Sequence, residues 1–257
     1  MDRRAFITTA GILAASSSYR SFAAHETGTS PRVRRDTRAI AFDGFAIIDP
    51  TPVADRAETV FPGRGRALLG AWRARQFEYS WLRTLAGRYA DFWQTTEEAL
   101  VFAARSLELS LSDAGRDGLM QTYLELKAWP DVRPALERLR AAGIRMAFLS
   151  NFTSAMLDAA IRNSQLEGFF GQHLTTDRVR VYKPHPHAYE MGTMAFGMRR
   201  EEIGFCAAAG WDAAGAKWFG YPTYWLNRTH QPAEELGVSP DGTGAGMTEF
   251  AEFVLGH

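Results

Sequence analysis

The first regular pattern in the chain is an unbroken apolar run, Ala-Ile-Ala-Phe, at residues 39–42. It follows a polar stretch that contains three Arg residues, at residues 25–36. Strands of a parallel sheet that is covered on both faces have such unbroken runs. We therefore predict a buried parallel strand over residues 38–45.

Residues 51–127 have a different pattern, because large apolar residues recur there at the spacing of a helix. Positions three and four apart lie on one helix face. The recurring residues are Leu68, Leu69, Trp72, Phe77, Trp81, Leu82, Leu85, Leu100, Leu107, Leu111, Leu119 and Leu124. The pattern predicts an all-helical segment after the first strand.

Strands and helices alternate again after residue 128. Asp131 is suited to cap a helix that carries Leu136 and Leu139 on its apolar face and stops at Gly143. Apolar runs predict further strands at 144–149, 203–208 and 223–226. Helices fit between these strands at 155–163, 188–196 and 213–218.

This alternation is typical of an α/β fold with a parallel sheet and helices on both faces. We predict a Rossmann-like parallel-sheet core with an inserted helical cap domain. The core takes residues 37–50 and 129–257, and the cap takes residues 51–128.

The first 24 residues have the layout of a bacterial export signal. Arg3 and Arg4 precede an apolar stretch at residues 6–15, and small residues around Ala23 suit a cleavage site. The Arg pair followed by Phe-Ile resembles a twin-arginine signal. A membrane anchor is the alternative, although a spanning helix needs about 20 apolar residues. We expect a signal peptide at 1–24, a linker at 25–36, and a periplasmic or secreted protein without membrane contact after signal removal.

Charge and cysteine content narrow the function further. The 29 basic residues equal the 29 acidic ones, which argues against a nucleic-acid-binding protein because such proteins need a basic face. Cys206 is the only cysteine. A chain with a single cysteine can form neither an intramolecular disulfide nor a metal site built from cysteines.

Polar residues follow several predicted strands, at the sheet edge where ligands bind in open parallel sheets. Asp43 ends the first strand, Ser150 and Asn151 end the second, Asp212 follows the third, and Lys183 lies in a loop. Singly, such residues are often helix caps, turn residues or surface lysines. Together at one edge they indicate a candidate site.

Four segments resemble the signature motifs of the haloacid dehalogenase superfamily, and most closely those of the (S)-2-haloacid dehalogenase branch. They are Ala-Phe-Asp at 41–43, Phe-Leu-Ser-Asn at 148–151, Val-Tyr-Lys-Pro at 181–184 and Gly-Trp-Asp-Ala-Ala-Gly-Ala at 210–216. Further stretches at 72–73, 78–83, 88–93 and 219–228 match the same branch. The resemblance covers about residues 37–257 and implies a homodimer formed through the cap.

The resemblance implies a hydrolase for short 2-halocarboxylates. Asp43 would attack the halogen-bearing carbon and form an ester. Arg73 would bind the departing halide through its permanently charged guanidinium. Asn151 would donate a second hydrogen bond to the halide, and Ser150 would bind the substrate carboxylate.

Further residues have supporting roles by the same resemblance. Lys183 would keep Asp43 ionised, with Tyr189 bonded into the same network. Asp212 would help activate the water that hydrolyses the ester. An apolar wall that excludes water would be formed by Phe45, Phe92 and Trp211.

A magnesium-dependent phosphatase is the less favoured alternative. Phosphatases of the superfamily place an Asp two residues after the nucleophile, where this chain has Phe45, and an acidic residue where it has Ala208. A hard divalent cation needs such oxygen ligands. We therefore expect no metal and no cofactor.

The chain also departs from the dehalogenase pattern. After the nucleophile it has Ala46-Ile47 instead of Gly-Thr, and Ala207 and Ala209 replace a Ser or Thr and an Asn. Loss of one preorganised donor costs about 10²–10³ in rate. The alternatives are a slow dehalogenase, which we favour, and a catalytically impaired homologue that acts as a periplasmic binding protein.

Overall fold

The computed structural model describes residues 37–256, so the predicted signal peptide at 1–24 and the whole predicted linker at 25–36 lie outside the described residues. Within the described range, six parallel strands form one sheet in the order β3-β2-β1-β4-β5-β6. The strands are β1 (Ala39–Phe42), β2 (Arg145–Ser150), β3 (Leu174–Thr175), β4 (Ile203–Ala207), β5 (Thr223–Leu226) and β6 (Gly242–Gly244). The predicted α/β class is confirmed.

The register of the central strands places the ends of β1, β2 and β4 side by side. Phe42 pairs with Phe148 on one side and with Cys206 on the other. All of β1 is buried, as expected for a strand with helices on both faces. The residues that follow these strands therefore meet at the centre of the sheet edge.

The described part of the chain contains ten α-helices in addition to this sheet. They are α1 (Gly44–Ile47), α2 (Thr51–Val60), α3 (Gly65–Leu85), α4 (Phe92–Ser106), α5 (Asp113–Glu125), α6 (Val132–Ala141), α7 (Ser154–Ser164), α8 (Pro186–Phe196), α9 (Gly210–Phe219) and α10 (Met247–Leu255). Short 3₁₀ turns span Thr176–Arg178 and Arg200–Glu202. Helices α2–α5 lie in the range proposed for the cap, and the exact domain division stays a prediction.

Local sequence explains where several of these helices begin. Side chains of Asp91, Ser112 and Thr153 accept a hydrogen bond from a main-chain N–H in the first turn of α4, α5 and α7, respectively. Such caps satisfy donors that have no partner inside the helix. In α3, the buried face repeats every four residues, at Leu68, Trp72, Gln76 and Ser80.

The structure corrects several of the predicted elements. The first strand stops at Phe42, because Asp43 caps α1, so Gly44 and Phe45 are helical. Asp131 precedes α6 but does not cap it. Its carboxylate accepts hydrogen bonds from Arg228 and from the main-chain N–H of α10 instead. Strands β3 and β6 and helix α10 were not predicted. No described helix is both long and apolar enough to cross a bilayer.

Candidate active site

Asp43 lies immediately after the central strand β1, at the edge of the sheet where the strands end. One carboxylate oxygen accepts a hydrogen bond of 3.1 Å from the main-chain N–H of Phe45. The other accepts a hydrogen bond of 2.7 Å from Nζ of Lys183. The side chain keeps 14% of its surface exposed, so the carboxylate is fixed in orientation and still accessible.

Lys183 connects two carboxylates. Its Nζ donates to Asp43 at 2.7 Å and to Asp212 at 2.6 Å, and its side chain is 1% exposed. Burial alone would lower the pKa of this ammonium, but the two adjacent carboxylates outweigh burial and raise the pKa. Lys183 is therefore a permanent cation that stabilises the negative charge of Asp43.

Asp212 lies in the first turn of α9 and is also completely buried. The hydroxyl of Tyr189 donates to its second oxygen at 2.7 Å. Burial and the charge of Asp43 raise the pKa of Asp212 to about 6, against the opposing effects of Lys183 and Tyr189. One ammonium cannot fully offset two carboxylates, so Asp212 can accept a proton near neutral pH.

Ser150, the last residue of β2, and Asn151, which follows it, present two hydrogen-bond donors toward the cavity. The side-chain oxygen of Asn151 accepts from the main-chain N–H of Lys183 at 3.2 Å, which leaves the amide N–H groups of Asn151 for a ligand. The hydroxyl oxygen of Ser150 accepts from Phe152 N–H at 3.1 Å and keeps its own proton. Gly44 allows this approach, since a Cβ there would lie 2.8 Å from the Ser150 oxygen.

A small cavity of about 60 Å³ lies against Asp43. That volume holds roughly four water molecules and suits a ligand of few atoms. Its lining combines aromatic rings with a few polar groups: Asp43, Phe45, Arg73, Phe77, Phe92, Ser150, Asn151, Phe152, Ala208, Ala209, Trp211 and Asp212. Apolar walls with a few convergent polar groups are typical of small-molecule sites.

Arg73 is the cation of this cavity. Its guanidinium lies 5.3 Å from the centre of the Phe45 ring. Among residues 37–256, none of the ion pairs includes Arg73. A guanidinium that faces a small apolar cavity without a carboxylate partner suits an anionic ligand.

The structure brings all ten candidate site residues to one place. Lys183 and Tyr189 lie behind the wall, in contact with Asp43 and Asp212, and the other eight line the cavity. Sequence reasoning missed Phe77 and Phe152 as wall residues. Phe77 is four residues after Arg73 on α3, a spacing that places both on one helix face and that would have identified it.

The three departures from the dehalogenase pattern lie beside this network. Ile47 and Ala207 are buried in apolar clusters, and Ala209 lines the cavity. The carboxylate of Asp43 is held by Phe45 N–H and Lys183 in the absence of a threonine hydroxyl. In residues 37–256, no group of three or more His, Cys, Asp or Glu side chains is placed to hold a metal ion.

Comparison with known proteins gives a consistent result. The sequence profile of haloacid dehalogenase-like hydrolases matches residues 14–220. Haloacetate dehalogenase H-2 of Moraxella sp. (strain B) is 42% identical over 206 residues, which cover 80% of this chain and 92% of that protein. The crystal structure of the L-2-haloacid dehalogenase RSc1362 superimposes with a TM-score of 0.84 at 40% identity, covering 86% of this chain and 99% of that one.

A further solved structure is informative about chemistry. The L-2-haloacid dehalogenase from Xanthobacter autotrophicus was solved with chloropropionic acid covalently bound, and it superimposes with a TM-score of 0.78 at 32% identity. The match covers 86% of this chain and 99% of that chain.

Proposed function

Because this chain belongs to the haloacid dehalogenase-like hydrolases, in their (S)-2-haloacid dehalogenase branch, we propose that it hydrolyses the carbon–halogen bond of short 2-haloalkanoic acids. The observation that carries the proposal is the geometry around Asp43. An accessible carboxylate that accepts a hydrogen bond from the ammonium of Lys183 faces a small aromatic cavity, and the guanidinium of Arg73, which has no carboxylate partner within residues 37–256, lines the same cavity.

The first step is a displacement at carbon. A carboxylate oxygen of Asp43 attacks C2 of the substrate and forms an ester bond, while the C–halogen bond breaks and the halide takes the electron pair. The guanidinium of Arg73 and the amide of Asn151 bind the departing halide. The hydroxyl of Ser150 donates to the substrate carboxylate. Aromatic walls exclude water, so the attacking carboxylate is weakly solvated.

The second step hydrolyses the ester. A water molecule attacks the carbonyl carbon of the Asp43 ester, and Asp212 accepts the proton that the water loses. The ester C–O bond then breaks, and the 2-hydroxy acid leaves with the proton returned from Asp212 to its oxygen. Asp43 keeps the second proton of the water and releases it to solvent, which restores the carboxylate. Lys183 stabilises the negative charge on Asp43 before and after this step. Tyr189 stays protonated, since burial and Asp212 raise its pKa well above the ordinary value, and so continues to donate to Asp212.

The size of the cavity favours short substrates. A cavity of about 60 Å³ holds roughly four waters, which is close to the size of a haloacetate or a 2-halopropionate. Dehalogenases dominate the relatives of this chain, which favours the enzyme over a binding protein or a phosphatase.

Halide release tests this proposal. Chloroacetate and the two enantiomers of 2-chloropropionate are incubated with the protein, and free halide and 2-hydroxy acid are measured. We expect both products, unaffected by EDTA. Asp43→Asn should abolish them, whereas Asp49→Asn should not, because Asp49 is a nearby carboxylate that accepts a hydrogen bond from Thr51 N–H and does not line the cavity. Absence of halide and product with all three acids would refute the proposal.

We also propose export by a twin-arginine signal. The proposal is supported by Arg3-Arg4, the following apolar stretch and the small residues before residue 24. Replacing both arginines by lysine should retain the protein in the cytoplasm of a bacterial host, as measured by cell fractionation. Unchanged periplasmic accumulation would contradict this route.

A homodimer through the cap is a further proposal. The outer surface of α3 and α4 has a groove of about 630 Å³, and two apolar side chains that line it, Leu82 and Phe102, are 56% and 39% exposed. Leu85, the last residue of α3, is 86% exposed. Sedimentation should give a dimer at micromolar concentration, and Leu85→Asp should give a monomer. A monomeric wild-type protein would refute the dimer.

A further inference from the structure

Helix α3 of the cap makes two hydrogen bonds to the chain segment that carries the buried lysine. The indole N–H of Trp81 donates to the main-chain oxygen of Lys183 at 3.2 Å. The hydroxyl oxygen of Thr84 accepts from the main-chain N–H of Tyr182 at 3.0 Å. Trp81 and Thr84 are three residues apart, so both lie on the helix face that meets this segment.

These contacts complete the fixation of Lys183. Its main-chain N–H donates to Asn151, and its ammonium donates to Asp43 and Asp212. Trp81 binds the remaining polar group of the residue, the carbonyl. The position from which the side chain of Lys183 extends therefore depends on the cap as well as on the sheet.

Trp81 also contacts the wall of the cavity. Its ring stacks on Phe77, with centroids 6.1 Å apart and planes 25° apart. It meets Trp211 edge to face, with centroids 5.5 Å apart. Phe77 and Trp211 both line the cavity. The side chain of Trp81 therefore contacts the aromatic wall of the cavity and the main chain of Lys183.

We propose that Trp81 is a positioning residue for Lys183 and that Thr84 assists it. Through these contacts, the packing of α3 on the core determines where Lys183 lies between Asp43 and Asp212. The inference rests on the proposed dehalogenase function. Trp81 touches no reacting atom; it acts through the main chain of Lys183 and through the two aromatic wall residues.

The charged and titratable groups around the lysine determine what its displacement does. Asp43 follows β1, Asp212 lies on α9 and Tyr189 on α8, and the thiol of Cys206 comes from β4. Arg73 contributes the other cation, from the cavity side. Displacing the ammonium of Lys183 removes the main charge that favours ionised Asp212, so Asp212 would take up its proton at higher pH.

Trp81→Phe removes the indole N–H and keeps an aromatic ring. We expect kcat to fall about three- to tenfold, the factor that one neutral hydrogen bond represents, with a smaller change in KM. The acid limb of the kcat profile should move to higher pH by roughly half a unit, a fraction of what a close opposite charge contributes. Thr84→Val should act in the same direction.

Two control variants remove comparable bonds inside the cap. Trp72→Phe removes an indole N–H that α3 donates to Thr96 O at 2.7 Å. Thr122→Val removes a hydroxyl that bonds only within its own helix, to Gly118 O. Both controls should lower the melting temperature without moving the acid limb, since neither contacts the lysine segment.

The kinetic comparison is accompanied by crystal structures of Trp81→Phe and of the wild type. A shifted acid limb in Trp81→Phe but not in Trp72→Phe, with longer Lys183–Asp212 distances, supports the inference. Equal pH profiles in these two variants overturn it. If the wild type releases no halide from any 2-haloacid, the proposed function fails, and the structures decide this inference alone. Lys183 unchanged in Trp81→Phe would then overturn it, and Lys183 displaced would support it.

Discussion

The hydroxyl of Tyr189 donates a hydrogen bond of 2.7 Å to the carboxylate of Asp212. Both side chains are buried, and the other oxygen of Asp212 accepts from Lys183 at 2.6 Å. Asp212 thus accepts from two donors, one on each oxygen, and its charge depends on both. Activation of the hydrolytic water should therefore respond to pH and to each donor.

The pH dependence of ester hydrolysis should follow Asp212. Burial and the charge of Asp43 raise the pKa of Asp212 to about 6, so the group is protonated below that pH and cannot accept a proton from water. In the ester Asp43 is uncharged, so its raising effect on the pKa of Asp212 is lost. The hydrolysis rate, measured by rapid quench after one round of alkylation, should therefore fall at acid pH with a midpoint below about 6. Because the site titrates as a coupled group, the midpoint belongs to the network. A rate that stays constant as the pH is lowered from 7 to 4 would contradict this role for Asp212.

Tyr189→Phe should move that midpoint upward. The hydrogen bond from Tyr189 favours the ionised carboxylate, so its loss raises the pKa of Asp212, by about one unit if the bond has the usual strength of one to a charged group. The hydrolysis rate should drop roughly tenfold at a pH below both midpoints, and about twofold at most at pH 7, where Asp212 is still largely ionised. Tyr224→Phe is the control, since Tyr224 is a buried tyrosine of β5 that packs against α10. An unchanged midpoint in Tyr189→Phe would show that the phenol does not influence Asp212.

Arg73→Lys should impair the first step most. Lysine keeps the charge but lacks the planar group with several N–H donors, and loss of such a donor costs about 10²–10³ in rate. The alkylation rate is measured by halide release in a single turnover. Arg75→Lys is the matched control, because Arg75 lies two residues away on α3, pairs with Glu78 at 2.8 Å and does not line the cavity. Equal rates in the two variants would remove Arg73 from the halide site.

Ester hydrolysis should limit turnover in the wild type. Asp43, Arg73 and Lys183 serve the first step, whereas Ala209 stands where the resembling family has an Asn that places the water. We expect a stoichiometric burst of halide followed by slow release, with an adduct on the Asp43 peptide. Ala209→Asn should accelerate the slow phase, by about 10² if one donor is regained. Ala208→Asn, the same change at a neighbouring cavity residue, should not. Steady halide release without a burst would show that other groups already place the water.

The parts of the fold that could be predicted are those fixed by local patterns. The apolar run of β1 and the helical spacing of α2–α5 follow directly from residue order. Strands β3 and β6 have two and three residues, too few for a periodic pattern, and they exist because neighbouring strands pair with them. Asp131 was wrongly assigned a capping role because its partner, Arg228, is 97 residues away.

The candidate site was partly predictable for the same reason. Asp43 follows β1 and Ser150 is the last residue of β2, so sheet topology alone brings them together. The placement of Lys183 between two carboxylates depends on long-range packing of its loop, α9 and the cap. The contribution of Trp81 was missed for this reason, since its contact with Lys183 joins residues 102 positions apart.

Isotope transfer in a single turnover tests the nucleophilic role of Asp43 most directly. Excess protein is mixed with (S)-2-chloropropionate in ¹⁸O-labelled water, and the oxygen label is located by mass spectrometry in the lactate product and in the peptide containing Asp43. If Asp43 forms the ester and water attacks its carbonyl carbon, the label appears in the carboxylate of Asp43 and the lactate of this first turnover is unlabelled at C2. Label in the lactate hydroxyl, with none in the Asp43 peptide, would mean that water attacks the substrate directly and would contradict the covalent mechanism.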